Sequence, residues 1–169
     1  MKRLIALFAA MLVIGVLAGY VWAQLAHPAE WEVRTGGSIV LTEAAARDQF
    51  SVIAVFMAVG AIGSLAWAWL TTLVVRDLGW WLTPVVIVAT AAAAVIAWRL
   101  GIMVGPDGPL AAVKPAVGTK LPSKLAVDGV APFLVWPISG LLGVVGATWL
   151  SRADAVEDGS IGEPLAASR

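Results

Sequence analysis

The hydrophobic positions of this chain fall into four long runs, and most polar residues lie in the segments between them. The runs cover residues 4–25, 50–75, 82–104 and 130–150. A helix that crosses a bilayer needs about 20 mostly apolar residues, and each run meets that length. The pattern therefore predicts four transmembrane helices.

The fourth run differs from the others because it carries two prolines in its first half. Pro132 suits the first turn of a helix, where the missing N–H would have no partner in any case. Pro137 lies deeper and frees the carbonyl of Phe133, so we expect a kink there. A helix that began at Pro137 would be too short to cross.

Local signals mark several helix ends. Thr83 before Pro84 predicts a capped start for the third helix, and Thr42 predicts that the second helix begins at Glu43 and projects beyond the lipid. Tryptophans lie near the proposed ends, as expected for residues that favour the headgroup level. They are Trp22, Trp67, Trp69, Trp80, Trp81, Trp98, Trp136 and Trp149.

Composition agrees with a membrane protein. Charged residues make up 13% of the 169 residues and hydrophobic residues 60%, with a mean hydropathy of +0.91. Soluble domains carry about a quarter charged residues, so this chain has too little charge for a soluble surface, and the bilayer is the expected partner. The formal net charge of zero gives no reason to expect a nucleic-acid partner.

The segments between the runs differ from one another. In the first loop, apolar residues alternate at Trp31 and Val33 of "WEVR" and at Ile39 and Leu41 of "IVLT", around a Gly-Gly pair, which predicts a β-hairpin. The second loop is rich in glycine and proline and predicts irregular backbone. The polar residues 151–169 predict a disordered tail. The expected fold is an all-α integral membrane protein of four transmembrane helices with a short external β-hairpin.

Basic residues give the orientation. Lys2 and Arg3 precede the first run and favour a cytoplasmic N-terminus, which places the C-terminal tail in the cytoplasm and both long loops outside the plasma membrane. Five basic residues in those loops oppose this orientation: Arg34, Arg47, Lys114, Lys120 and Lys124. A cleaved signal peptide that ends at Ala23 is the alternative for the first run, and we favour an uncleaved helix.

Small residues recur four apart within the runs. The pairs are Gly15 with Gly19, Gly60 with Ser64, and Ser139 with Gly143. Such stripes let helix backbones approach closely in a membrane. Packing inside the four-helix bundle is the expected use, and a dimer interface on the first helix is the alternative.

One charged residue, Arg99, falls inside a run. Near the end of the third helix its side chain can reach the headgroups. The alternative is an ion pair with Asp48, which lies near the start of the second helix on the same side of the membrane and suits the dipole there.

Residues for catalysis are scarce. The chain has no cysteine and a single histidine, His27, which removes disulfides, thiolate chemistry and Cys/His zinc patterns. Nucleophile-elbow, zinc-protease and phosphate-loop motifs are missing. No ionisable residue lies near the centre of a run, which argues against a proton-driven carrier. We therefore expect no cofactor, no metal and no enzymatic activity.

Four short signatures carry a resemblance: "LAHP", "RDQF", "AWRLGIMVGP" and "LVWP", in this order and spacing. The chain resembles a family of small four-span actinobacterial membrane proteins classed as a domain of unknown function. The resemblance covers about residues 4–150 and implies four spans in a plasma membrane. The matching positions are Pro28, Asp48, Phe50, Trp98, Gly101, Gly105, Pro106, Trp136 and Pro137.

These positions would all lie at the outer membrane surface if the N-terminus is cytoplasmic. The sequence therefore favours a non-enzymatic accessory or scaffold subunit of cell-envelope or membrane machinery that meets a protein partner at its outer face. The alternative is a transporter or channel component that works as a homo-oligomer.

Overall fold

A computed structural model describes the four long helices and parts of the segments between them. The described residues are 2–26, 30–33, 39–41, 43–105, 120–122, 125–127 and 129–161. The helices are α1 (Lys2–Leu25), α2 (Glu43–Val74), α3 (Leu82–Val104) and α4 (Ala131–Ile161).

All four helices are long and apolar enough to cross a membrane. The qualifying segments are Lys2–Leu25, Asp48–Val74, Gly79–Val104 and Ala131–Ala153. The membrane part of the fold is therefore a bundle of four helices, as the hydrophobic runs predict. α2 begins at Glu43, ahead of its apolar segment.

The bundle has two ends. On the loop side, α1 and α3 end and α2 and α4 begin. On the terminal side lie Lys2, the continuation of α4 beyond the membrane segment, and a short 3₁₀ helix (Arg76–Trp81) that joins α2 to α3.

Two same-direction helix pairs form the core of the bundle, α1 with α3 and α2 with α4. In the first pair, a Cβ built on Gly15 would lie 2.8 Å from the Ala93 carbonyl oxygen, and one on Gly19 would lie 2.6 Å from that of Ala97. Only glycine permits so close a backbone approach. The glycines of α1 are thus covered by α3 of the same chain, and their faces are not open to a dimer partner.

The second pair uses the other small-residue stripes. A Cβ on Gly143 would lie 2.6 Å from the Leu65 carbonyl oxygen, and Ser64, Ser139 and Ala147 are buried. Alternate helices in the chain therefore pack closely, while sequential helices meet less extensively.

The start of α3 departs from the expected cap. The helix begins at Leu82 with Trp81 as its N-cap residue, Trp81 already has helical φ and ψ, and no side chain caps the end. The prediction of a cap at Thr83 is wrong, because the 3₁₀ helix runs directly into α3. The chain turns two residues before Trp81, at Gly79, with φ 53° and ψ −133°, a conformation that favours glycine.

α4 differs from its prediction at its end. The helix passes through Pro137 without interruption and continues to Ile161, so the disordered tail does not begin at residue 151. The segment after Leu150 contains no proline before Pro164, so nothing in it breaks the helix outright. Residues 162–169 lie outside the described part.

Three short strands, two in the first loop and one in the second, pair with one another. β1 (Glu30–Val33) pairs antiparallel with β2 (Ile39–Leu41) and with β3 (Lys120–Pro122), so the strand order is β2-β1-β3. Residues 34–38, where the predicted hairpin would turn, lie outside the described residues, as does most of the second loop. The external hairpin therefore stays a prediction.

Candidate functional site

Five aromatic side chains from all four helices meet in the loop-side half of the bundle. They are Trp22, Phe56, Trp98, Phe133 and Trp136, and we call them the aromatic cluster. The Phe56 ring centre lies 5.2 Å from that of Trp22, 5.3 Å from Phe133 and 5.6 Å from Trp136, and Trp98 lies 5.8 Å from Phe133. Three of these contacts are edge-to-face, the geometry that aromatic rings favour.

Glycines make room for two of the three indoles in the cluster. Trp22 lies against Gly101 of α3, and Trp136 lies against Gly60 of α2, so closely that a Cβ at either glycine would overlap the indole. Both tryptophans are 1% exposed. The small residues on α2 and α3 thus determine where α1 and α4 insert their indoles.

One hydrogen bond links two helices within the cluster. Trp22 Nε1 on α1 donates to the Val52 carbonyl oxygen on α2 at 2.8 Å, and both are buried. Bonds of this kind between helices are worth about 0.6–2 kcal/mol in a membrane. α1 is therefore joined to α3 by backbone contact and to α2 by an indole bond.

Three buried polar atoms have no hydrogen-bond partner in the described part of the chain. They are Trp98 Nε1, Trp136 Nε1 and Ser64 Oγ. A donor without a partner in an apolar interior costs free energy. The cluster therefore combines one satisfied indole with two unsatisfied ones.

The second loop returns to the bundle beside the cluster. Leu125 and Val127 are buried, and a Cβ on Gly105 would lie 2.6 Å from Leu125 Cδ1. Gly105 lies at the end of α3, where it caps the helix through its N–H to the Gly101 carbonyl oxygen at 2.8 Å. Leu125 thus packs on the loop-side end of α3 at Gly105, while Met103 of the same turn stays exposed.

Three residues near the loop-side ends of α2 and α3 form what we call the loop-side rim: Asp48, Phe50 and Arg99. Phe50 is 69% exposed in the first turns of α2, and Asp48 is half-buried. The Arg99 guanidinium is exposed and lies 5.1 Å from the centre of the Trp98 ring, within the range of a cation–π contact.

The structure does not pair Asp48 with Arg99. Neither side chain makes an ion pair with the other among the described residues, and the guanidinium contacts Trp98 instead. The helix arrangement explains the error, because α2 packs mainly on α4 and has little contact with α3. Charges on the two helices lie on the same side of the membrane without being neighbours.

Other predicted positions have different surroundings. Pro137 is half-buried within α4, one residue after Trp136. Pro28, Pro106 and His27 lie outside the described residues. No group of three or more possible metal ligands occurs within the described part of the chain.

Phe56 and Phe133 are the members of the cluster that sequence reasoning did not single out. Both phenylalanines join the cluster through ring contacts with aromatic residues of other helices. Those contacts can be recognised only once the neighbours of each helix are known.

The cluster contains no acid, base or nucleophile. It consists of aromatic ring contacts and one hydrogen bond between helices. It holds four helices together on the loop side and supports an exposed rim with an aromatic ring, a carboxylate and a cation. Comparison with known proteins adds no relative: the chain matches no protein-family model, no curated protein and no solved structure.

Proposed function

We propose that this protein is a non-enzymatic accessory or scaffold subunit of cell-envelope or membrane machinery, and that it engages a protein partner through the loop-side rim. The observation that carries the proposal is the exposure of Phe50 and Arg99 at the loop-side ends of α2 and α3, in a bundle whose interior the aromatic cluster fills. A rigid interior with exposed anchors suits an interface, because little conformational freedom is lost on binding. Aromatic residues and arginine are also the residues that contribute most to interfaces.

The proposal includes an orientation in the plasma membrane. Lys2 and Arg3 favour cytoplasmic termini, which would place the loop side, the rim and the predicted hairpin outside the membrane. The partner would then be an envelope protein or the outer part of another membrane protein.

Purification from native membranes tests the partner. The tagged chain, extracted in mild detergent, should co-purify with a defined second protein that mass spectrometry identifies. The double variant Phe50→Ala with Arg99→Gln should lose that protein and keep the elution profile of the free chain. Leu70→Ala is the matched control, because it truncates an exposed side chain at the terminal side of α2.

Two results would contradict the proposal: recovery of a homo-oligomer without any other protein, or equal recovery of the partner by the double variant and by Leu70→Ala. A homo-oligomer would instead support a transporter or channel component. One observation favours that alternative. Ser64 Oγ and Trp136 Nε1 are buried on the α2–α4 seam without partners in the described chain, and such atoms suit contact with water or a polar solute. The homo-oligomer should then conduct when placed in liposomes.

A further inference from the structure

A second candidate binding site lies on the terminal side, away from the rim. The end of α2, the 3₁₀ turn, the first turn of α3 and the end of the α4 membrane segment surround a cleft of about 440 Å³. Four hydroxyl side chains line it: Thr72, Thr83, Thr148 and Ser151. Arg152 is the charged residue among those that line the cleft.

Three of these hydroxyls are oriented by their own helices. Thr72 donates to the Ala68 carbonyl oxygen at 2.8 Å, Thr148 to Val144 at 2.7 Å and Ser151 to Ala147 at 2.9 Å. A hydroxyl has one hydrogen and two lone pairs. The donated hydrogens are therefore used, and the oxygens remain as acceptors for a ligand that brings its own donors.

Arg152 supplies the complementary chemistry. Its guanidinium is permanently charged and offers several N–H donors in a geometry that matches phosphate oxygens. A cleft with a permanently charged cation and hydroxyl acceptors suits a ligand that carries both a phosphate group and O–H groups. No carboxylate is among the lining residues whose side chains the structure describes, so these residues offer no countercharge to an ammonium headgroup.

The cleft lies at the depth where such ligands occur in a membrane. On the same side of the bundle, Trp80 and Trp149 are 72% and 75% exposed, as expected for indoles at the headgroup level. The depth favours the headgroup of a phospholipid.

We propose that the cleft binds the headgroup of phosphatidylglycerol: Arg152 contacts the phosphodiester, and the oxygens of Thr148 and Ser151 accept from the glycerol hydroxyls. This site is separate from the rim and does not depend on the proposed function.

Native mass spectrometry of the delipidated full chain in detergent micelles tests the site. Phosphatidylglycerol should be retained in preference to phosphatidylcholine and phosphatidylethanolamine with the same acyl chains. Arg152→Gln should lower phosphatidylglycerol binding about fivefold, the effect of one arginine beside an anionic headgroup. Lys2→Gln is the matched control, because it removes a positive charge on the same side of the bundle but outside the cleft.

A second variant tests the site if Arg152→Gln does not fold. Thr148→Val replaces the hydroxyl by a methyl group of similar size and should lower the preference for phosphatidylglycerol over phosphatidylcholine. Soluble glycerol 3-phosphate at the concentration of the lipid should displace none of it, because it has no acyl chains to hold it at the depth of the cleft.

Four outcomes would overturn the assignment. They are equal retention of phosphatidylglycerol and phosphatidylcholine, equal retention of phosphatidylglycerol and phosphatidylethanolamine, equal losses in Arg152→Gln and Lys2→Gln, and displacement of the lipid by glycerol 3-phosphate.

Discussion

Gly60 is a residue whose missing side chain matters more than its conformation. A Cβ there would overlap the Trp136 indole, whereas a Cβ on Gly63, three residues further along α2, would meet Ile14 Cγ2 at 3.3 Å. We expect Gly60→Ala to lower the free energy of unfolding by about 1–3 kcal/mol, the cost of overpacking a core. Unfolding in a mixed-micelle denaturant titration measures the change. Gly63→Ala is the control, and equal stability of the two variants would contradict the packing described for Trp136.

The indoles of Trp22 and Trp98 differ in one respect that substitution can isolate. Trp22 Nε1 donates to Val52, while Trp98 Nε1 is buried without a partner in the described chain. Phenylalanine removes the N–H and part of the ring in both cases. We expect Trp22→Phe to cost about 0.6–2 kcal/mol more than Trp98→Phe, measured by the same titration. A larger loss in Trp98→Phe would show that the hydrogen bond adds nothing to the stability of the bundle.

The tryptophans show that the sequence predicts the membrane depth of a residue but not the direction of its side chain. All eight tryptophans noted above lie near predicted helix ends, and that position alone suggests headgroup contact. Trp80, Trp81 and Trp149 are exposed as expected, but Trp22, Trp67 and Trp136 are buried in the core. Membrane depth can be read from distance along a helix, whereas the direction of a side chain depends on which helices are neighbours.

At the scale of helices, the GxxxG pair on α1 is used inside the chain. Gly15 and Gly19 lie against Ala93 and Ala97, so a larger residue should separate α1 from α3. We expect Gly19→Ile to lower the free energy of unfolding by about 1–3 kcal/mol and to leave the oligomeric state, measured by light scattering in detergent, unchanged. Leu17→Ala is the control, because Leu17 is exposed on the same helix. Loss of an oligomer with no loss of stability would instead support the dimer alternative.

The four spans could be predicted from the sequence because apolar runs of that length have few other uses in a protein. The pairing of the helices could not be predicted. The small-residue stripes on α1, α2 and α4 look alike, and they indicate close packing without indicating which helix packs against them. The same gap explains the wrong ion pair. Asp48 and Arg99 were correctly expected on one side of the bundle, and their separation follows from α2 packing on α4.

At the scale of the whole molecule, the rim lies on the loop side and the proposed lipid-binding cleft on the terminal side. The orientation in the membrane therefore decides which compartment each of them faces. The chain has no cysteine, which makes this orientation directly measurable. Single cysteines are introduced as Ser38→Cys in the first loop and Ser160→Cys near the end of α4. Intact cells are then treated with a maleimide that does not cross membranes.

With cytoplasmic termini, as Lys2 and Arg3 favour, the reagent should label Ser38→Cys in intact cells and Ser160→Cys only after the membrane is permeabilised. The cysteine-free parent gives the background, and Ala94→Cys, in the buried core of α3, should resist labelling in both states. Labelling of Ser160→Cys but not Ser38→Cys in intact cells would reverse the orientation. The rim would then face the cytoplasm, and the partner would have to be sought among cytoplasmic or inner-leaflet proteins.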